Sequence, residues 1–115
     1  MKSRHPGRLK KSWEFRKVYR HGKALVSENI VLYYFFNRDN IKNRVGFSIS
    51  RKIGNSVLRH RMKRVYSEAF REIQGQLVEG YDFIIIARKP QVSFHHAREE
   101  LLNLCRKGKL VKKGL

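Results

Sequence analysis

Between Arg51 and Arg71 the chain interleaves eight cationic or imidazole side chains (Arg51, Lys52, Arg59, His60, Arg61, Lys63, Arg64 and Arg71) with an apolar series at helical spacing. Leu58, Met62, Val65, Tyr66, Ala69 and Ile73 recur at intervals of three and four, the pattern of a helix face that packs on a core. Asn55 or Ser56 can cap its start. At about 100° per residue, His60, Arg64, Ser67 and Arg71 project from the opposite side, with Arg59 and Lys63 on one flank and Arg61 on the other. Glu68 and Glu72 share the Arg61 flank, so the positive field belongs to the N-terminal half and to the loop feeding it. A generic charge run is usually a solvated face. Here few acids intervene between Arg51 and Arg64, so the cations have no intrahelical partners and repel one another unless a polyanion lies against them. A phosphate backbone is the commonest such polyanion.

The whole chain carries the same bias: 27 Lys and Arg against 9 Asp and Glu, a net charge of +18 in 115 residues. Nucleic acid is therefore the leading partner class. An anionic membrane surface is the rival, but there is no run of about 18 apolar residues and no signal peptide behind the basic start. The expectation is a soluble, cytoplasmic protein with no membrane partner and no small-molecule substrate. Cys105 is the single cysteine, which excludes an internal disulfide and gives no zinc spacing; it is expected to pack on a helix face. Seven Phe, five Tyr and one Trp supply apolar surface for one core, so the chain reads as a single domain over residues 1–115. Its ends, Met1 to Arg8 and Lys107 to Leu115, read as mobile basic arms.

A first helix is expected from Ser12, as N-cap, to His21, with Gly22 as its stop and Phe15, Val18 and Tyr19 on one stripe. A weak extended segment at Ala24 to Val26 precedes Ile30 to Phe36, a β-branched and aromatic run that reads as a central strand. A polar stretch, Asn37 to Asn43, leads into a strand from Arg44 to Ser50. There Val45, Phe47 and Ile49 face a core, while Gly46, Ser48 and Ser50 make a flat, small-residue face. Together with Val31, Tyr33 and Phe35 of the neighbouring strand, that face can be a solvated surface or an aromatic-edged floor for a ligand. After the basic helix, Asp82 to Ala87 is a short buried strand, and Ser93 to Arg106 a last helix with Phe94, Ala97, Leu101, Leu104 and Cys105 inward. The order makes an α+β fold, α-β-β-β-α-β-α.

Catalysis by the protein finds little support. His95 and His96 are adjacent and face different sides, no third ligand stands at metal-site spacing, and no nucleophile elbow or paired carboxylates accompany Ser48, Ser50 or Asp82. No catalytic residue and no protein-bound metal are expected. Cations spread over three flanks suit a phosphate backbone and the shape of folded RNA better than base-edge readout. For Phe15, Tyr19 and Tyr33, ordinary core is the stronger reading on periodicity, and stacking on unpaired bases the weaker.

The text from Arg51 to Glu72, with Gly54-Asn55-Ser56-Val57, Arg59-His60-Arg61, Lys63-Arg64 and Glu68-Ala69-Phe70-Arg71, resembles the signature of the bacterial ribonuclease P protein component family. The likeness extends over nearly the whole chain, through Arg8-Leu9-Lys10-Lys11, Phe15, Gly22, Val45 to Ser50, and Tyr81 to Arg88. It implies a single-domain sandwich like the second domain of ribosomal protein S5, with a left-handed β-α-β crossover against the usual rule. It implies a subunit of the endoribonuclease that removes the 5′ leader of precursor tRNA, in which the RNA subunit carries the chemistry with Mg²⁺. By position, the resemblance assigns Arg51, Lys52, Asn55, Arg59, His60, Arg61, Lys63 and Arg64 to the catalytic RNA. It assigns Phe15, Tyr19, Val31, Tyr33 and Ser48 to a cleft for the leader. His60 departs from the family's usual Asn, replacing an amide by an imidazole, and Tyr19 stands where Phe is frequent. A ribosomal or RNA-chaperone protein of the same fold, lacking the leader cleft, remains the rival, as does a DNA-binding protein, for which no recognition-helix motif is evident.

Overall fold

The computed structural model describes residues 7–114. Its strands are β1 (Gly7–Arg8), β2 (Lys23–Val26), β3 (Ile30–Phe36), β4 (Arg44–Ser48) and β5 (Tyr81–Ala87), and its α-helices α1 (Ser12–His21), α2 (Ser56–Ile73) and α3 (Phe94–Lys107). The strands form one sheet in the order β1-β4-β5-β3-β2. Strand β3, apolar on both parities, is internal as its composition requires. Its neighbour towards β4 is β5, antiparallel to β3 and parallel to β4, so the two strands joined by Asn37 to Asn43 do not pair with each other.

Alternation sorts the sheet's side chains onto two faces. On one, Ile30, Leu32, Val45, Phe83 and Ile85 pack against Met62, Tyr66, Ala69, Phe70 and Ile73 of α2 and Ala97, Leu101 and Cys105 of α3. Phe70 joins the expected α2 stripe, and burial raises the Cys105 thiol to about 12, which leaves it an inert packing group. The other face carries Ile84 beneath Val18 of α1 and Leu9, with Phe15, Tyr33, Phe35 and Ile86 packed around them. Helix α1 therefore lies alone on the side opposite α2 and α3.

Four expectations are corrected. Lys11, not Ser12, is the N-cap of α1, because the Glu14 carboxylate accepts from the backbone N–H groups of Lys10 and Lys11 at 2.9 and 2.8 Å and so starts the helix one residue earlier. Phe94 opens α3, after the Ser93 cap, and is 38% exposed rather than inward. The arms are docked where they are described; residues 1–6 and 115 lie outside the described residues. Gly7 and Arg8 pair in parallel with Arg44 and Val45, and Leu9 is buried. At the other end Lys109 takes a left-handed conformation (φ 58°), turning the chain so that Leu110 is buried and Val111 bridges to Leu77. Finally, β4 ends at Ser48 and the chain turns into a 3-10 segment, Arg51–Ile53.

The polar stretch before β4 has a structural task. Asp82, 1% exposed, accepts from Arg44 Nε and Nη2 at 2.8 and 2.9 Å and from the amides of Asn37 and Asn40 at 3.0 and 2.7 Å. The third donor of Arg44, Nη1, reaches Glu14 at 2.6 Å and ties the start of α1 to the sheet. Backbone hydrogen bonds from Lys11 and Lys10, then Arg44, hold the Glu14 carboxyl below its ordinary range. Burial pushes Asp82 up, but the hydrogen bonds from Arg44, Asn37 and Asn40 together outweigh it and hold that carboxyl low as well. Carboxylates depressed in the folded state contribute stability that is present above their unfolded values, about 3.9 for Asp and 4.3 for Glu, and lost as pH falls through the folded values. The melting temperature should therefore drop on acidification below about pH 4. In Asp82→Asn that acid drop should be shallower; an equally steep drop would show that Asp82 is not among the groups responsible.

Candidate nucleic-acid interface

A concavity opens where Phe15 of α1 meets Gly46 of β4, and the flat sheet face continues from it beside the helix. Register aligns Gly46, Ile84 and Tyr33 in one row across β4, β5 and β3, and Ser48, Ile86 and Val31 in the next. All six share the α1 side; Ile84 is fully buried beneath the helix, and Ile86, half-buried, stands between Ser48 and Val31, the residues expected to adjoin. Phe15 lies on Gly46: a Cβ added there would meet the ring at 2.5 Å, so only glycine lets the ring seat on the strand. Tyr19 follows one turn later, 6.5 Å from Phe15 and edge-on to Tyr33 at 5.0 Å between ring centres. Burial raises the Tyr19 phenol above its ordinary value, an effect the nearby Ser48 hydroxyl only partly offsets. The structure thus brings Phe15, Tyr19, Tyr33 and Ser48 together, with Val31 half-buried in the outer row. Neither alternative for these rings is met in full: Phe15 and Tyr33 are half-buried, and Tyr19 is 38% exposed.

The opposite rim is basic. Arg8, Leu9, Lys10 and Lys63 surround a concavity of about 380 Å³ whose other walls are Phe15, Gly46 and Phe47. The Arg8 guanidinium sits over the Phe47 ring at 5.0 Å and donates to Ser67 Oγ of α2 at 2.9 Å. Through Arg8 and Lys63 the cleft runs onto the cationic face of α2. The placing of Arg8 and Lys10 on this rim was not assigned from sequence; the cue was Arg8-Leu9-Lys10-Lys11, whose alternation puts the charges on either side of the buried Leu9.

The other basic residues lie along the start of α2. Arg51 and Lys52 occupy the exposed 3-10 turn, and Asn55 caps α2, accepting from the Leu58 N–H at 2.9 Å. Arg59 is half-buried and donates from Nε to the Gly54 carbonyl at 3.1 Å, which leaves its outer nitrogens to other partners. His60, Arg61, Lys63 and Arg64 are exposed. Among the described residues, none of Arg51, Lys52, Arg59, Arg61, Lys63 and Arg64 is in an ion pair, whereas towards the C-terminal end Glu68 meets Arg71 and Glu72 meets Arg98. Charge is neutralised at one end of α2 and uncompensated at the other. Among the described residues no three His, Cys, Asp or Glu side chains converge on a metal-sized site, and no helix is long and apolar enough to cross a membrane. The arrangement suits two tasks: neutralising phosphates along α2, and holding a strand whose bases meet rings.

Known proteins are similar to this chain in sequence and in fold. The family model described as Ribonuclease P matches residues 4–109. The ribonuclease P protein component of Natranaerobius thermophilus is 40% identical over 109 residues, covering 93% of this chain and 94% of its own length. That of Caldanaerobacter subterraneus is 41% identical over 102 residues, covering 87% of each. In structure, the RNase P protein of Staphylococcus aureus aligns with a TM-score of 0.82 at 29% identity, covering 91% of this chain and 97% of that one. The RNase P protein from Thermotoga maritima aligns with a TM-score of 0.78 at 32% identity, covering 87% and 96%. With its fold and nearly its full length matched in these proteins, the chain belongs to the ribonuclease P protein component family.

Proposed function

We propose that this chain acts within ribonuclease P by laying the N-terminal half of α2 against the catalytic RNA while the cleft beside α1 grips the 5′ leader of precursor tRNA. What supports the reading is the continuity of the two surfaces, with Lys63 of α2 bounding the same concavity as Phe15 and Gly46. Arg51, Lys52, Asn55, Arg59, His60, Arg61, Lys63 and Arg64 contact the RNA subunit. Phe15, Tyr19, Val31, Tyr33 and Ser48 receive unpaired leader nucleotides, rings offering stacking faces to bases and Arg8 and Lys10 reaching their phosphates. Mg²⁺ is held by the RNA, and the protein residues supply positioning and charge neutralisation only. The setting is the cytoplasm, where precursor tRNA is made.

The test is reconstitution. At low Mg²⁺, where phosphate repulsion is poorly screened, adding the protein to a bacterial ribonuclease P RNA should accelerate release of the leader from precursor tRNA. Unchanged cleavage across protein concentrations that saturate the RNA would overturn the assignment.

A further inference from the structure

A second concavity lies on α2, away from the leader cleft. Val57, His60, Arg61, Arg64, Val65 and Glu68 follow one another at intervals of three and one, a single helical stripe, and Phe94 at the start of α3 closes its side. The space is about 540 Å³, within the roughly 300–1,000 Å³ of clefts that hold small groups. Of its apolar members Val65 packs on the core, while Val57 at 75% and Phe94 at 38% exposure are open. They stand inside a rim of unpaired cations, since Arg61 and Arg64 have no ion-pair partner among the described residues. Glu68 closes the far end and is already engaged by Arg71 at 3.6 Å.

An apolar, ring-bearing hollow edged by two guanidinium groups matches the chemistry of a nucleotide: a flat hydrophobic base inside, a phosphate at the rim. A protein partner is disfavoured because the rim adds to a chain of net charge +18. We propose that this hollow takes an unpaired nucleobase of the RNA subunit, packed on Phe94 and Val57 and faced by the His60 imidazole, with Arg61 and Arg64 on the adjoining phosphates. The inference rests on the RNA-binding reading above, and it gives His60 a task an amide would fill less well, since its ring adds a stacking face.

The full chain is titrated with a bacterial ribonuclease P RNA at several salt concentrations, as wild type, Phe94→Ala and Val57→Ser, with dimethyl sulfate probing of the RNA bases. Phe94→Ala should weaken binding by roughly 5- to 150-fold, the range for losing one stacked base, with the salt slope unchanged because no phosphate contact is lost. One nucleotide protected by the wild type should become reactive. Val57, at 75% exposure, contributes little to the core, so Val57→Ser keeps the test valid if Phe94→Ala lowers the melting temperature; it should give a smaller loss and expose the same nucleotide. Unchanged affinity and protection in both variants, while the wild type binds, would overturn the hollow alone. No binding by the wild type would remove the RNA-subunit reading and the hollow with it.

Discussion

Replacing Arg59, Arg61 and Arg64 together by Ala should weaken binding to ribonuclease P RNA more than any other change considered, and make the dependence of log affinity on log salt shallower by about 2 to 3 units, at roughly 0.7–0.9 per lost phosphate contact. Arg61 and Arg64 are exposed and, among the described residues, form no ion pair that would compete for them. Arg59 is the exception, because its Nε is bound to the Gly54 carbonyl at 3.1 Å, and its removal loosens the entry to α2 slightly. None of the three belongs to the buried stripe of Met62, Tyr66, Ala69, Phe70 and Ile73, so the melting temperature should change little. Binding titrations at four or more salt concentrations decide the matter. A slope equal to the wild type's would show that this face is merely solvated.

The second large effect is selective. Tyr19→Ala should cost about 1–3 kcal/mol in holoenzyme binding of precursor tRNA, the worth of one base stack, and nothing in binding of mature tRNA, which lacks the leader. Tyr19 is the most informative of the three rings, since its 38% exposure means that truncation removes a cleft wall and little core. Phe15→Ala and Tyr33→Ala should show the same selectivity together with a lowered melting temperature, because both also pack around Val18 and Ile84. Complete burial would make a Phe→Ala change cost about 3–5 kcal/mol, and half-burial places these below that. Affinities for both tRNAs, measured beside the melting temperature, separate the contributions. Equal losses for precursor and mature tRNA would refute the leader assignment.

Much of the candidate interface was legible because its pattern is local. The α2 charge pattern depends only on helical period, and the parity of Gly46 and Ser48 against Val45 and Phe47 only on strand pleat. The cap at Asn55 is equally local, whereas the stop at Gly22 is only partly so, since a Cβ there would come within 2.6 Å of the Val18 carbonyl oxygen one turn earlier and of the Tyr34 carbonyl oxygen on β3. Less legible was whether Phe15, Tyr19 and Tyr33 are core or surface. Periodicity reports which side of a helix a ring is on, and not how far the layer beneath extends.

Sequence by itself determined the three helices, the strands β2 to β5 in outline, most of their inward faces and the uncompensated charge, all properties of residues within a few positions of one another. Only the tertiary structure decided that β5 enters between β3 and β4, placing Ile84 beneath α1 and Ile86 between Ser48 and Val31. It also decided that Asp82 draws Asn37, Asn40 and Arg44 together, that Glu14 and Arg44 fasten α1 over the sheet, and that Gly7 to Leu9 and Leu110 to Val111 dock. The reason is common to all of these. Strand order, a buried carboxylate's donors and the docking of a terminus depend on groups far apart in the chain, and the free energy that selects them, burial of Leu9 and Leu110 and satisfaction of a desolvated charge, exists only once those groups have met.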